Sequence, residues 1–123
     1  MKDSILREKT KNIAVKILKI CDEIDTKKGK GVLINQIVKS STSIGANVNE
    51  ANYASSRADF INKLHIALKE CYETEYWLEL LFEIAKLDED TYKALKSKCG
   101  SVRRRIIASV KTAKNGKNSS KED

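Results

Sequence analysis

The chain has 123 residues, enough for one domain whose core removes roughly two-thirds of the unfolded chain's surface from water. Hydrophobic residues make up 41%, charged residues 33% and aromatics 6%, and proline is absent, which favours long amphipathic helices and disfavours a β-sandwich or barrel. The net charge is +7, but residues 1–92 carry 14 basic and 15 acidic side chains, so all the excess lies in residues 93–121, with ten basic side chains and no acid.

No apolar run is long enough to span a bilayer, and MKDSILREKTK lacks the apolar core of a signal peptide. A cytoplasmic protein is expected. Cys21, Cys71 and Cys99 are odd in number and lack CxxC spacing, which argues against a disulfide or metal framework. Each falls on an apolar stripe and reads as a small core residue.

Leu6, Thr10, Ile13, Ile17, Ile20 and Ile24 follow 4-3-4-3-4 spacing, which predicts a first helix from about Asp3 to Asp25. At 1.5 Å per residue it is ~33 Å long. A polar connector with two glycines, DTKKGKG, follows. A second helix is expected from about Val32 to Asn52, with Leu33, Ile37, Ser41, Ile44, Val48 and Ala51 as its seam. Beside that seam, Gln36, Ser40, Ser43, Asn47 and Glu50 form a polar stripe, and Gly45 and Ala46 add further small residues. Such a helix suits either a tight interhelix contact with a polar network or the wall of a pocket; the contact is the preferred reading.

Ser56, three residues before Asp59, is placed to cap a third helix from about Arg57 to Lys86. Phe60, Leu64, Ala67, Cys71, Thr74, Leu78, Leu81 and Ala85 make its seam. Ile61, Leu68, Tyr72, Trp77 and Ile84 widen the apolar surface, as in a helix that touches more than one neighbour. Asp88 is placed to cap a fourth helix with the seam Tyr92, Leu95, Cys99, Val102, Ile106, Ser109 and Ala113, weakened by Gly100. Residues 114–123 contain no apolar side chain and are expected to be a disordered polar tail after a bundle over residues 1–113. The expected fold is all-α: an antiparallel up-down-up-down four-helix bundle.

Chemistry is harder to find. His65 is the only histidine, so a histidine-based metal centre is excluded, and no Glu-x-x-His motif, phosphate loop or nucleophile elbow is present. No cofactor, metal or catalytic residue is expected. Glu75, Glu79 and Glu83 stack at i,i+4, which is unfavourable unless cations neutralise them, and the basic fourth helix lies antiparallel to supply these. That pairing would use part of the basic patch. The cations Lys93, Lys96, Arg103, Arg104, Arg105, Lys111 and Lys114, with Lys117 and Lys121 beyond them, are candidates for nucleic-acid phosphates, whose attraction falls steeply with salt. No exposed aromatics are evident to stack unpaired bases, so backbone or shape contact is the expectation. Tyr72, Tyr76 and Trp77 are the candidate residues of an oligomer interface.

The motif SxSIGANxxEA at 41–51, followed by SRADFIxKLxIALKExxETxYWLxLL at 56–81, resembles the four-helix-bundle proteins encoded within 23S rRNA intervening sequences. Many members have Glu-Gly where this chain has Glu50-Ala51. The resemblance implies a small antiparallel bundle without known catalysis, assembled as a barrel-shaped, ring-like homopentamer. A related branch, the accessory variability determinant of diversity-generating retroelements, is a basic pentamer that binds nucleic acid and a reverse transcriptase; the present sequence is closer to the intervening-sequence branch. Signature positions carried over by resemblance are Ser43, Asn47, Glu50, Asp59, Phe60, Glu73 and Thr74, read mostly as packing and interhelix hydrogen bonding. Two functions stay open. One is a non-enzymatic homo-oligomer that contacts RNA or DNA backbone through helix four. The other is a protein-interaction module, including one that binds a reverse transcriptase.

Overall fold

Each helix starts where a side chain or a backbone turn satisfies its first free amides. In the computed structural model, which describes residues 3–85 and 87–122 with side chains as far as Gly116, four helices follow one another: α1 (Ser4–Asp22), α2 (Lys30–Asn52), α3 (Arg57–Ile84) and α4 (Glu89–Glu122). Among the described residues there is no strand. The Asp3 carboxylate accepts from the Leu6 amide at 2.9 Å, the Ser56 hydroxyl accepts from the Asp59 amide at 3.0 Å, and the Asp88 carboxylate accepts from the Thr91 amide at 3.0 Å. Helix α2 has no side-chain cap; Gly29, at φ 83°, turns the chain through the left-handed region into it.

Helix α1 ends three residues before the expected Asp25. Its last turn tightens into i→i+3 bonds, Glu23 N to Ile20 O at 3.0 Å and Ile24 N to Cys21 O at 3.2 Å, which carry Ile24 back against the core. Helix α4 continues as helical backbone to Glu122. Of the stretch expected to be a polar tail, only residues 114–116 have described side chains; Lys117 and Lys121 lie outside them.

Helices adjacent in sequence pack side by side, and α1 closes the bundle against α4. Every pair is antiparallel. Asp3 meets Asn52 across α1–α2, Glu50 meets Lys63 and Ser40 meets Thr74 across α2–α3, Glu75 meets Arg103 across α3–α4, and Lys9 meets Ser101 across α1–α4. This is the expected up-down-up-down bundle. The α2–α3 seam is the most extensive and the α1–α4 seam the thinnest.

The core follows the expected seams with two shifts. On α1, Cys21 is buried, as its reading as a core residue expected, while Ile20 of the expected seam is only half-buried; on α4, Val110 is buried where Ser109 was expected. A strict 4-3 repeat drifts by roughly 20° per heptad around a straight helix, so one 4-4 step brings the stripe back to the core. Helix α3 needs no correction before Ala85: its residues from Phe60 to Leu81 on the expected seam are all buried.

Candidate nucleic-acid interface

The cations of α4 divide by the neighbour they face. Arg103 turns towards α3, where Nε and Nη2 donate to the two carboxylate oxygens of Glu75 at 2.8 and 3.2 Å, with the guanidinium 5.3 Å from the centre of the Tyr72 ring. Lys96 donates to Glu79 at 3.1 Å and lies 5.7 Å from the centre of the Tyr92 ring. Hydrogen bonding to Glu79, then to Tyr92, holds its ammonium above the usual lysine range. These two pairs neutralise most of the glutamate stack on α3. Arg105 turns the other way and donates to both carboxylate oxygens of Asp3, at 2.8 and 3.1 Å. Burial alone would raise the Asp3 carboxyl, but hydrogen bonds from Arg105 and the Leu6 amide, with the attraction of Arg105, outweigh it and hold the group below its ordinary value. Lys93 pairs with Glu89 on its own helix at 3.2 Å, both side chains well exposed.

Four of the seven candidate cations are thus held by acids. Arg104, Lys111 and Lys114 are different: all three are exposed, and none is in an ion pair among the described residues. With Ile107 between them, 44% exposed, they follow 3-4-3 spacing and form one ridge ~15 Å long. Gly100 lies behind its start; a Cβ there would meet Arg104 Nη1 at 3.2 Å and Arg103 Nη2 at 3.5 Å, so the glycine leaves room for both guanidiniums to fold back along the helix.

A second basic feature escaped the sequence reading. The thin α1–α4 seam opens into a groove lined by Lys9, Lys11, Asn12, Ser97, Lys98 and Ser101, with Glu8 and Val15 of α1 also along it. Lys9 donates to Ser101 at 3.4 Å, and Lys9, Lys11 and Lys98 form no ion pair among the described residues. The signal was present: Lys98 stands one position before the buried Cys99, on the side of α4 away from Arg103 and hence towards α1.

The signature positions gather on α2 and α3. Thr74 is fully buried and its hydroxyl lies 2.8 Å from that of Ser40 and 2.8 Å from the Glu70 carbonyl. Asn47 donates within α2 to the carbonyl and the hydroxyl of Ser43 at 2.9 and 3.1 Å. Glu50 pairs with Lys63 at 3.4 Å, Asp59 accepts from the Ser55 amide at 3.4 Å, and Phe60 joins the core. Glu73 is half-buried beside Glu70, whose carboxyl is raised by burial and then by the charge of Glu73. On the α1 side, a Cβ at Gly45 would meet Thr10 Oγ1 at 3.3 Å, so the small residues of α2 do bring helix backbones close. These contacts favour the packing reading of the polar stripe over the pocket reading.

The expected interface residues lie on the outer side of α3. Tyr72 and Tyr76 are 51% and 54% exposed, and the half-buried Trp77 packs edge-on against Tyr76 with ring centres 5.1 Å apart. Exposed aromatics are therefore present, contrary to the sequence reading, because the wide apolar face of α3 has more width than two neighbouring helices cover. His65 is exposed on the same helix.

The model of the 23S rRNA-intervening sequence protein family matches residues 2–108. The chain belongs to that family. Among solved structures, this family member is similar to a protein of unknown function from the S23 ribosomal protein family of Bacteroides thetaiotaomicron VPI-5482, with 42% identity and a TM-score of 0.83 over 91% of this chain and 100% of that one. No curated protein matches it significantly. As a 23S rRNA-intervening sequence protein it has no helix, among the described residues, long and apolar enough to cross a membrane, and there no group of three or more His, Cys, Asp and Glu side chains is placed to hold a metal ion.

Proposed function

We propose that this 23S rRNA-intervening sequence protein is a non-catalytic, cytoplasmic homo-oligomer that holds nucleic-acid phosphates on the outer face of α4. The observation that carries the proposal is the ridge of Arg104, Lys111 and Lys114, three exposed cations on one helix face that form no ion pair among the described residues. A cation already held by a carboxylate must lose that partner to take a phosphate; these three lose nothing. Self-association rests on Tyr72 and Tyr76, two half-exposed tyrosines beside Trp77 on α3. Assembly through α3 would set copies of the α4 ridge side by side and multiply weak phosphate contacts. Cytoplasmic residence fits the three free cysteines.

The test needs variants that leave the fold intact. Arg103 and Arg105 tie α4 to α3 and α1, so replacing the Arg103–Arg105 run would confuse binding with stability. The triple variant Arg104→Gln, Lys111→Gln, Lys114→Gln is expected to keep its melting temperature and solution mass while losing retention of nucleic acid. Unchanged retention would refute the ridge.

A second reading, a protein-docking module, is favoured by the same α3 tyrosines. It predicts a monomer in solution whose α3 face is covered only by another protein. Light scattering at micromolar concentration separates the two. A retroelement reverse transcriptase as that partner has no feature of the chain in its favour.

A further inference from the structure

We infer that the groove between α1 and α4 is the track for one nucleic-acid strand, held through its phosphates alone. The inference rests on the phosphate-binding reading and extends it to residues outside the α4 ridge. Three features carry it.

Charge is the first. Lys9 and Lys11 from α1 and Lys98 from α4 line the groove and form no ion pair among the described residues, and Glu8, the one acid along it, is paired with Arg7 at 3.2 Å. Three lysines against one acid leave the wall net positive, and a concave wall raises the local potential more than the same charges on a convex surface.

Shape and lining are the second. Of the other groove residues, Asn12, Ser97 and Ser101 offer hydrogen bonds to phosphate oxygens. No aromatic side chain lines it, and the exposed Tyr72 and Tyr76 are on α3, which does not border the groove. Base stacking is thus unavailable there, and the contacts are indifferent to sequence.

Continuity is the third. Ser97, Ser101, Arg104, Ala108 and Lys111 follow 4-3-4-3 spacing, so the groove wall and the unpaired ridge are one line along α4, ~21 Å from Ser97 to Lys111. A backbone that enters beside Lys9 and Lys98 meets Arg104 and Lys111 as it leaves.

The test compares three proteins at full length on fluorescent 20-nucleotide single strands of mixed sequence, RNA and DNA, by anisotropy across a salt series. They are the wild type, the groove variant Lys9→Gln, Lys11→Gln, Lys98→Gln, and the ridge variant described above. The groove variant is expected to melt as the wild type does, to bind about tenfold more weakly, and to lower the log K against log salt slope by about 2, one increment of ~0.7 per lost contact. Its Lys→Arg counterpart, K9R/K11R/K98R, is expected to bind as the wild type does, and RNA and DNA to differ by no more than a few fold. A groove variant that binds like the wild type, while the ridge variant does not, overturns the groove and leaves the ridge reading standing. A preference for one strand type above tenfold overturns the phosphate-only contact. A wild type that binds neither strand at low salt overturns both.

Discussion

Between α2 and α3, two buried hydroxyls, Ser40 and Thr74, lie 2.8 Å apart in the most extensive seam of the bundle. Between α1 and α4, the contact at mid-seam is Lys9 Nζ to Ser101 Oγ at 3.4 Å, exposed, beside an open groove. The first seam is made of the residues that carry the family motif; the second is rich in lysines and serines, with Glu8 as its one acid. Family signature and candidate binding surface therefore sit on opposite sides of one small molecule. A motif that specifies close helix packing identifies the fold, and it leaves the function to side chains that packing does not constrain.

The comparison breaks if the tight side tolerates what the open side tolerates. Ile44→Ala, at a fully buried position of α2, is expected to cost about 2–5 kcal/mol and to lower the melting temperature strongly, whereas Lys9→Ala is expected to stay within about 0.5 kcal/mol. Equal effects in thermal melts would remove the distinction. Arg103→Ala strips the partly buried Glu75 of a two-pronged partner and is expected to cost about 1–3 kcal/mol, while Arg104→Ala next to it changes stability little. Urea denaturation of the two single variants checks that contrast between paired and free cations.

A smaller effect is expected from Thr74→Val, which keeps shape and removes the interhelix hydroxyl contact; about 1 kcal/mol should be lost, with nucleic-acid binding intact. The smallest is pH-dependent and concerns the end of the α1–α4 seam. The Asp3 carboxyl is held below its ordinary value, so its pairing with Arg105 stabilises the protein above the unfolded value of about 3.9 and is lost as pH falls through the folded one. Arg105→Gln should therefore melt slightly below the wild type at pH 7, and the gap should close below about pH 4. A gap that is constant with pH would show that the pair does not titrate as described.

How much of this was legible beforehand differs between seam and surface. Apolar periodicity placed all four helices, and Ser56 and Asp88 marked two starts, because capping and core stripes are local properties of the chain. The burial of Cys21 was read from the sequence, but the shift from Ser109 to Val110 was not legible, since the drift of a 4-3 repeat becomes visible only when neighbouring helices define inward. That part of the basic patch would pair with the Glu75–Glu79–Glu83 stack was legible, and Arg103 and Lys96 do so, but which cations are taken was not. Their division into pairs and free charges depends on which helix each faces, and Arg103, Arg104 and Arg105, consecutive in sequence, point to α3, to solvent and to α1. Lys9, Lys11 and Lys98 were passed over for the same reason: 87 residues separate Lys11 from Lys98, and only closure of α1 on α4 brings them to one groove.

The salt dependence of nucleic-acid binding by the intact, nucleic-acid-free protein tests the central claim most directly. With three ridge cations and three groove cations on phosphates, log K is expected to fall linearly against log salt with a slope of about −4 to −5. A slope near zero, or no binding at low salt, would contradict phosphate contact and leave the α4 cations as a solvated surface.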